Sequence, residues 1–173
     1  MQYVTINGTA MYELKRLSSA GIPRALKKVE RYRLLNEPAE AESICRDILA
    51  VDHDHQEALI MFILSLSDQF GISVGHTEAC EAIQKIQDDY KRAYYTGIIK
   101  ERLAKATLKL GGFSSNFDAY EWLEEALAAF EKAASLRSSG NEDSILRYNA
   151  CVRTIQRQKL TPRQQESREQ FLE

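Results

Sequence analysis

The feature that most constrains the fold is a pair of helical patterns separated by only Asn36 and Glu37. Residues 23–35 and residues 38–51 each place their apolar side chains on one helical face. Pro23 and Pro38 stand at the beginning of the two patterns, where the missing N–H of proline costs nothing. A connection this short forces neighbouring antiparallel helices, so the segment is predicted to form a helical hairpin.

The same pattern recurs along the chain. Further helices are predicted over residues 56–70, 77–88, 91–110, 119–136 and 143–158, without any strand signal. The chain is therefore predicted to be all-α, a right-handed superhelical array of antiparallel helix-turn-helix repeats with about seven helices plus a C-terminal cap.

Three segments follow from this prediction. Residues 22–158 form the repeat domain, and residues 159–173 form a polar C-terminal cap or tail in which Pro162 begins a short helix. Residues 1–21 form an N-terminal extension, where Tyr12, Leu14 and Leu17 are compatible with a short helix.

The second helix of each predicted hairpin carries a small residue followed four positions later by a larger one. A small residue lets two helices approach closely, and the large one fills the adjoining hole. The pairs are Ala41 and Cys45, Ala79 and Ile83, and Ala126 and Phe130.

These pairs resemble the tetratricopeptide repeat family. The turn at residues 49–54 is similar to the turn between its repeats, with His53 where the family usually has proline. The resemblance implies stacked hairpins whose first helices line a concave, partner-binding face. The whole chain also resembles a group of uncharacterised bacterial proteins with such repeats, which implies no particular activity.

The spacing of the repeats departs from that family. Ala41, Ala79 and Ala126 are 38 and 47 positions apart, against a family period of about 34 residues. The excess is assigned to two inserted loops, residues 71–76 and residues 111–117, predicted to lie on the same edge of the array. Phe113 and Phe117 in the second loop are candidates for a binding lip, or for side chains that tuck back onto the core.

The charges divide between the two kinds of helix. The net charge of -2 gives the molecule no strong field for nucleic acid. The first helices over residues 23–35 and 91–110 are nevertheless basic, and the second helices are acidic. One interpretation is charge complementarity within each hairpin. The other is a basic groove for an acidic or C-terminal peptide.

The candidate partner-binding residues lie on the first helices. The inward positions are apolar or aromatic, which disfavours the Lys and Asn carboxylate clamp known in this family and favours an aromatic-lined groove. Packing between repeats is the competing interpretation of the aromatic positions. The candidates are Leu26, Arg33, Ile60, Tyr94, Arg102 and Tyr148.

Catalytic and metal-binding patterns are weak. The run from Asp52 to His55 lies in a predicted turn, where Asp and His are ordinary capping residues and convergence of ligands is not expected. Cys45, Cys80 and Cys151 lie far apart in helical patterns and are interpreted as small apolar side chains in a reducing compartment. We expect no enzymatic activity, no cofactor and no bound metal.

The expected function is a non-enzymatic protein–protein interaction module, an adaptor or scaffold that binds a peptide or helical segment on its concave face. No apolar run reaches the ~18 residues that a membrane span needs, and no signal peptide is recognisable, so a cytoplasmic location is expected. The alternative is a self-assembling, homo-oligomeric protein or a nucleic-acid-associated regulator, which the basic helix over residues 91–110 would support.

Overall fold

A computed structural model of the chain describes residues 3–6, 9–71 and 76–163. These residues contain seven α-helices, which confirms the all-helical prediction for the repeat domain. None of the described helices is both long and apolar enough to cross a membrane. The helices are α1 (Ile22–Leu34), α2 (Pro38–Leu49), α3 (Gln56–Ser67), α4 (His76–Gln84), α5 (Asp89–Leu110), α6 (Ser115–Leu136) and α7 (Asp143–Gln158).

The N-terminal extension is not the short helix considered from the sequence. It forms two antiparallel strands, β1 (Tyr3–Ile6) and β2 (Thr9–Glu13), followed by a short 3₁₀ turn at Ser19–Gly21. β1 consists entirely of β-branched and aromatic residues, and β2 contains Thr9 and Tyr12. Such residues favour the pleated conformation over a helix. The sequence between the strands is Asn-Gly, the strongest short-range signal for a two-residue hairpin turn.

The α1–α2 hairpin forms as predicted, and Asn36 makes its tight turn possible. Asn36 adopts φ 60°, in the left-handed region that asparagine tolerates better than most residues. The next amide, on Glu37, then donates a 2.9 Å hydrogen bond to the Tyr32 carbonyl. This pairing satisfies a carbonyl that the end of α1 would otherwise leave without a partner.

Several helix limits differ from the prediction. α3 ends at Ser67 and α4 at Gln84, both earlier than expected, whereas α5 begins earlier, at Asp89. The Asp88 carboxylate accepts the Lys91 amide at 2.8 Å and so caps α5 rather than ending α4.

The second predicted insertion, over residues 111–117, is shorter than expected. α6 begins at Ser115, so only residues 111–114 separate it from α5. The extra spacing instead lies in the helices, since α5 and α6 each have 22 residues, whereas α2 and α3 have 12. Residues 159–163 are not helical, and the rest of the predicted tail helix lies outside the described residues.

Consecutive helices pack against one another, and α3 also contacts α1 and α5. The small residues Ala41, Ala79 and Ala126 are fully buried, as residues at helix crossings should be. The buried side chains form two clusters, one centred on α1–α4 and one on α5–α7. Leu64 and Tyr95 pack against both clusters and join them.

Candidate partner-binding surface

Two predicted binding residues, Arg33 of α1 and Arg102 of α5, meet at a single carboxylate. Arg33 Nε lies 2.9 Å from Asp68 Oδ2, and Arg102 Nη1 lies 2.8 Å from Asp68 Oδ1. Asp68 immediately follows α3, so this carboxylate ties together three helices that alternate in sequence. We call the surface formed by α1, α3, α5 and α7 the odd-helix face.

Hydrogen bonds to residues at the end of α3 hold the Arg102 side chain in position. Arg102 Nη1 donates to the Leu64 carbonyl at 3.0 Å and also to the Ser67 hydroxyl. The Arg102 side chain is only 24% exposed. Burial lowers its pKa, and the charges of Asp68, Arg33, Arg147 and Glu101 act on the same guanidinium. This partial desolvation strengthens electrostatic contacts made here relative to contacts made in open water.

A second carboxylate, Glu101, is buried beside this contact. Glu101 is 2% exposed and forms an ion pair with Lys105 one turn further along α5. Its Oε2 atom lies 3.5 Å from Arg147 Nη1 of α7, and it has no hydrogen-bond partner among the described residues. Four basic residues thus share two carboxylates. We call this set the charge cluster: Arg33, Asp68, Glu101, Arg102, Lys105 and Arg147.

Tyr94 lies in an aromatic group on α5. Its ring is stacked on Tyr90 at 5.9 Å between centroids, and it contacts Tyr95 at 5.3 Å and Phe130 at 5.8 Å. Tyr94 is only partly buried. The aromatic stripe therefore serves both packing and surface, as the two interpretations of the sequence had separately suggested.

The other candidate residues lie elsewhere. Leu26 and Ile60 are each 9% exposed and belong to the core. Both side chains therefore have little surface to offer a partner. Tyr148 lines a groove between α6 and α7 beside Glu131 and Ala134. The six candidates therefore do not form one continuous groove.

The two phenylalanines of the α5–α6 connection have different environments. Phe113 is fully exposed, with a relative exposure of 103%. Phe117 lies in the first turn of α6 and is partly buried. The binding lip predicted from both residues thus reduces to Phe113.

Among the described ion pairs that join two helices, more connect different hairpins than connect the two helices of one hairpin. Lys100 of α5 pairs with Glu125 of α6 at 2.6 Å, as complementarity within a hairpin predicts. By contrast, Arg46 of α2 holds Glu78 of α4 through two hydrogen bonds of 2.7 and 2.8 Å. The basic side chains of α5 are largely matched by carboxylates, which leaves less free positive charge than the sequence indicates.

The histidines of the turn before α3 have local structural roles. His55 Nδ1 accepts the Ala58 amide at 3.3 Å and caps α3, and His53 lies 3.0 Å from the Asp54 carboxylate. In the described part of the chain, no three His, Cys, Asp or Glu side chains are grouped as metal ligands would be. Burial raises the pKa of Cys45 and of Cys151 to about 12.

Sequence reasoning missed Asp68, Glu101 and Arg147 as members of the site. Asp68 follows a largely apolar helix, and its isolation there was the one available signal. Glu101 stands among the basic residues of α5, and neighbouring charges of opposite sign are ordinary on an exposed helix face, so the sequence gives no signal of its burial.

No family model, curated protein or solved structure matches this chain. The resemblance to tetratricopeptide repeats therefore rests on the residues of the chain alone.

Proposed function

We propose that the chain is a non-enzymatic protein–protein interaction module that binds an acidic peptide or helical segment on the odd-helix face. We also propose that its hairpins stack as a right-handed superhelix of the tetratricopeptide type. The contacts of α3 with α1 and α5 support this stacking, because the first helices of successive repeats are neighbours in such arrays. A crystal structure that gives the rotation between hairpins tests it.

The observation that carries the binding proposal is the imbalance of the charge cluster. Among the described residues, Arg33, Arg102, Lys105 and Arg147 form ion pairs with only two carboxylates, Asp68 and Glu101. Guanidinium groups offer several N–H donors each and can bind a further carboxylate through paired hydrogen bonds. A partner carboxylate placed here would lower the repulsion among the four cations. The partly exposed Tyr94 offers an apolar contact on the same helix.

The test is selection of peptides from a random display library on the full chain at physiological salt. We expect the selected peptides to be rich in Asp and Glu. Their affinity is then measured on a Glu101→Gln, Lys105→Gln, Arg147→Gln variant, which removes two cations without stranding the buried carboxylate. We expect affinity to fall at least tenfold, about 1.4 kcal/mol.

Lys109→Gln is the matched control. Lys109 is exposed, lies one turn beyond Lys105 on α5, and its replacement changes the net charge by the same amount as the triple variant. The control should bind like the wild type. Selected peptides that lack acidic residues, or that bind the triple variant equally well, would contradict the proposal.

A further inference from the structure

A second surface lies at the N-terminal end of the helical array. A groove of about 480 Å³ runs between α1 and α2, and the described residues that line it belong to these two helices or, like Leu17 and Gly21, come just before them. Its lining includes the partly buried apolar side chains of Leu17, Tyr32 and Ile44. The end of a repeat array is ordinarily polar, because it has no neighbour to pack against. This end is instead apolar between its two helices.

The two sides of the groove carry opposite charges. Arg24 and Lys28 lie one turn apart on α1, whereas Glu40 and Asp47 lie on α2. All four are exposed, and none forms an ion pair with another described residue.

Charges of the same two helices that face the rest of the array behave differently. Arg33 of α1 pairs with Asp68, and Arg46 of α2 pairs with Glu78. The charges that face inward along the array are thus matched within the chain. The four charges around the end groove have no such partner among the described residues.

The antiparallel hairpin places these charges at corresponding levels. α1 begins near the level at which α2 ends, so Arg24 is level with Asp47, and Tyr32 is level with Glu40. A two-fold axis parallel to the groove places α1 of one copy opposite α2 of the other. Each residue then keeps its height along the helix axes. A two-fold axis perpendicular to the groove would instead place α1 of one copy opposite α1 of the other. Like charges would then face each other, which is unfavourable.

We propose that the chain forms a two-fold dimer through this end groove, with Arg24 of each copy facing Asp47 of the other and Lys28 lying between the levels of Asp47 and Glu40 of the other. The apolar side chains between the two helices supply most of the affinity, and the charges select the orientation. This dimer goes beyond the binding of an acidic segment, because no residue of the charge cluster lines the groove.

The test uses the full chain and two charge reversals, Arg24→Glu and Asp47→Arg. Arg24 lies in the first turn of α1 and Asp47 in the last turn of α2, so each new charge suits the local helix dipole and should not harm folding. Analytical ultracentrifugation should show a dimeric wild type. Each variant alone should dissociate at least tenfold more readily, because both of its contacts then oppose like charges.

An equimolar mixture of the two variants is the decisive sample. In a mixed dimer both contacts pair opposite charges, so dimers should return, and native mass spectrometry should find the heterodimer. Lys27→Glu is the control, because Lys27 also lies on α1 but lines a different groove, beside Glu57 and Met61. The control should remain dimeric. A monomeric wild type, a reversal without effect, or a mixture that stays dissociated would overturn the proposal.

Discussion

Gly97 of α5 lies directly against the ring of Phe130 of α6. A Cβ atom built on Gly97 would lie 2.6 Å from Phe130 Cε1, closer than such atoms approach in real proteins. The two longest helices can therefore cross at this point only because position 97 has no side chain.

Gly97→Ala should destabilise the protein. Alanine favours a helix over glycine by about 1 kcal/mol, but overpacking a core typically costs about 1–3 kcal/mol, so we expect a net loss in the free energy of unfolding. Urea unfolding followed by circular dichroism measures this loss. Phe130→Leu in the same chain should relieve much of it. A Gly97→Ala protein as stable as the wild type would show that the helices can separate without cost.

Asn36 should resist replacement by any residue except glycine. At its φ of 60°, a β-carbon is sterically unfavourable. Asparagine offsets this cost through local hydrogen bonds of its side chain, which most other residues cannot form. Asn36→Ala should therefore lower the free energy of unfolding by about 1 kcal/mol, whereas Asn36→Gly should be close to neutral. Glu37→Ala is the neighbouring control, and equal losses from the two alanine variants would argue against a conformational cause.

The Arg46–Glu78 ion pair should make stability depend on acid pH. The hydrogen bond from Arg46 holds the pKa of Glu78 below its ordinary value. Its stabilisation is complete above the unfolded-state pKa of glutamate, about 4.3, and is lost as the pH falls through the lower folded-state value. Glu78 is 43% exposed on its side chain, so the effect should not exceed about 1 kcal/mol.

Comparison of the wild type with Glu78→Gln isolates this contribution. The difference in their free energies of unfolding should be constant at neutral pH and should shrink as the solution is acidified below pH ~4. A difference that does not change with pH would assign the stabilisation to packing rather than to ionisation of Glu78.

The three cysteines should react with thiol reagents at different rates. Burial raises the pKa of Cys45 and of Cys151 to about 12, and both side chains are almost fully covered. Cys80 is partly exposed, although burial also raises its pKa. The thiolate is the reactive form. A colorimetric thiol assay of the native protein should therefore modify only Cys80 readily, with a rate that increases with pH.

Two samples check that assignment. Cys80→Ser should remove the readily modified thiol, and denaturant should expose all three cysteines of the sequence. Rapid modification of the native Cys80→Ser protein would mean that the core around Cys45 or Cys151 opens more often than their burial suggests.

The helices were predictable where local signals agree. The limits of α7 match the prediction at both ends, Asp143 and Gln158, and the α1–α2 hairpin follows from two prolines and a short connection. α6 was predicted to start too late, because Gly111, Gly112 and the following serines are typical of a loop. The overlooked signal was Ser114, whose hydroxyl donates to Asp118 at 2.7 Å across the first turn.

The charge cluster could be predicted only in part. Arg33 and Arg102 are recognisable as basic residues on first helices, but their meeting point is set by Asp68, which is 35 positions from Arg33. That convergence depends on how far each hairpin is shifted along its neighbour. Because the helices differ in length, this shift could not be predicted from the sequence. For the same reason Leu26 and Ile60 were predicted to lie on a surface, whereas they lie in the core.

The division of the core into two clusters has a mechanical consequence. Leu64 and Tyr95 contact both clusters, and Asp68 bridges the same junction through Arg33 and Arg102. The protein should therefore open in hydrogen exchange as two cooperative blocks that meet at α3 and α5. A ligand lying across the junction would restrict the motion of one block against the other, so binding there would stiffen the helical array as well as fill a site.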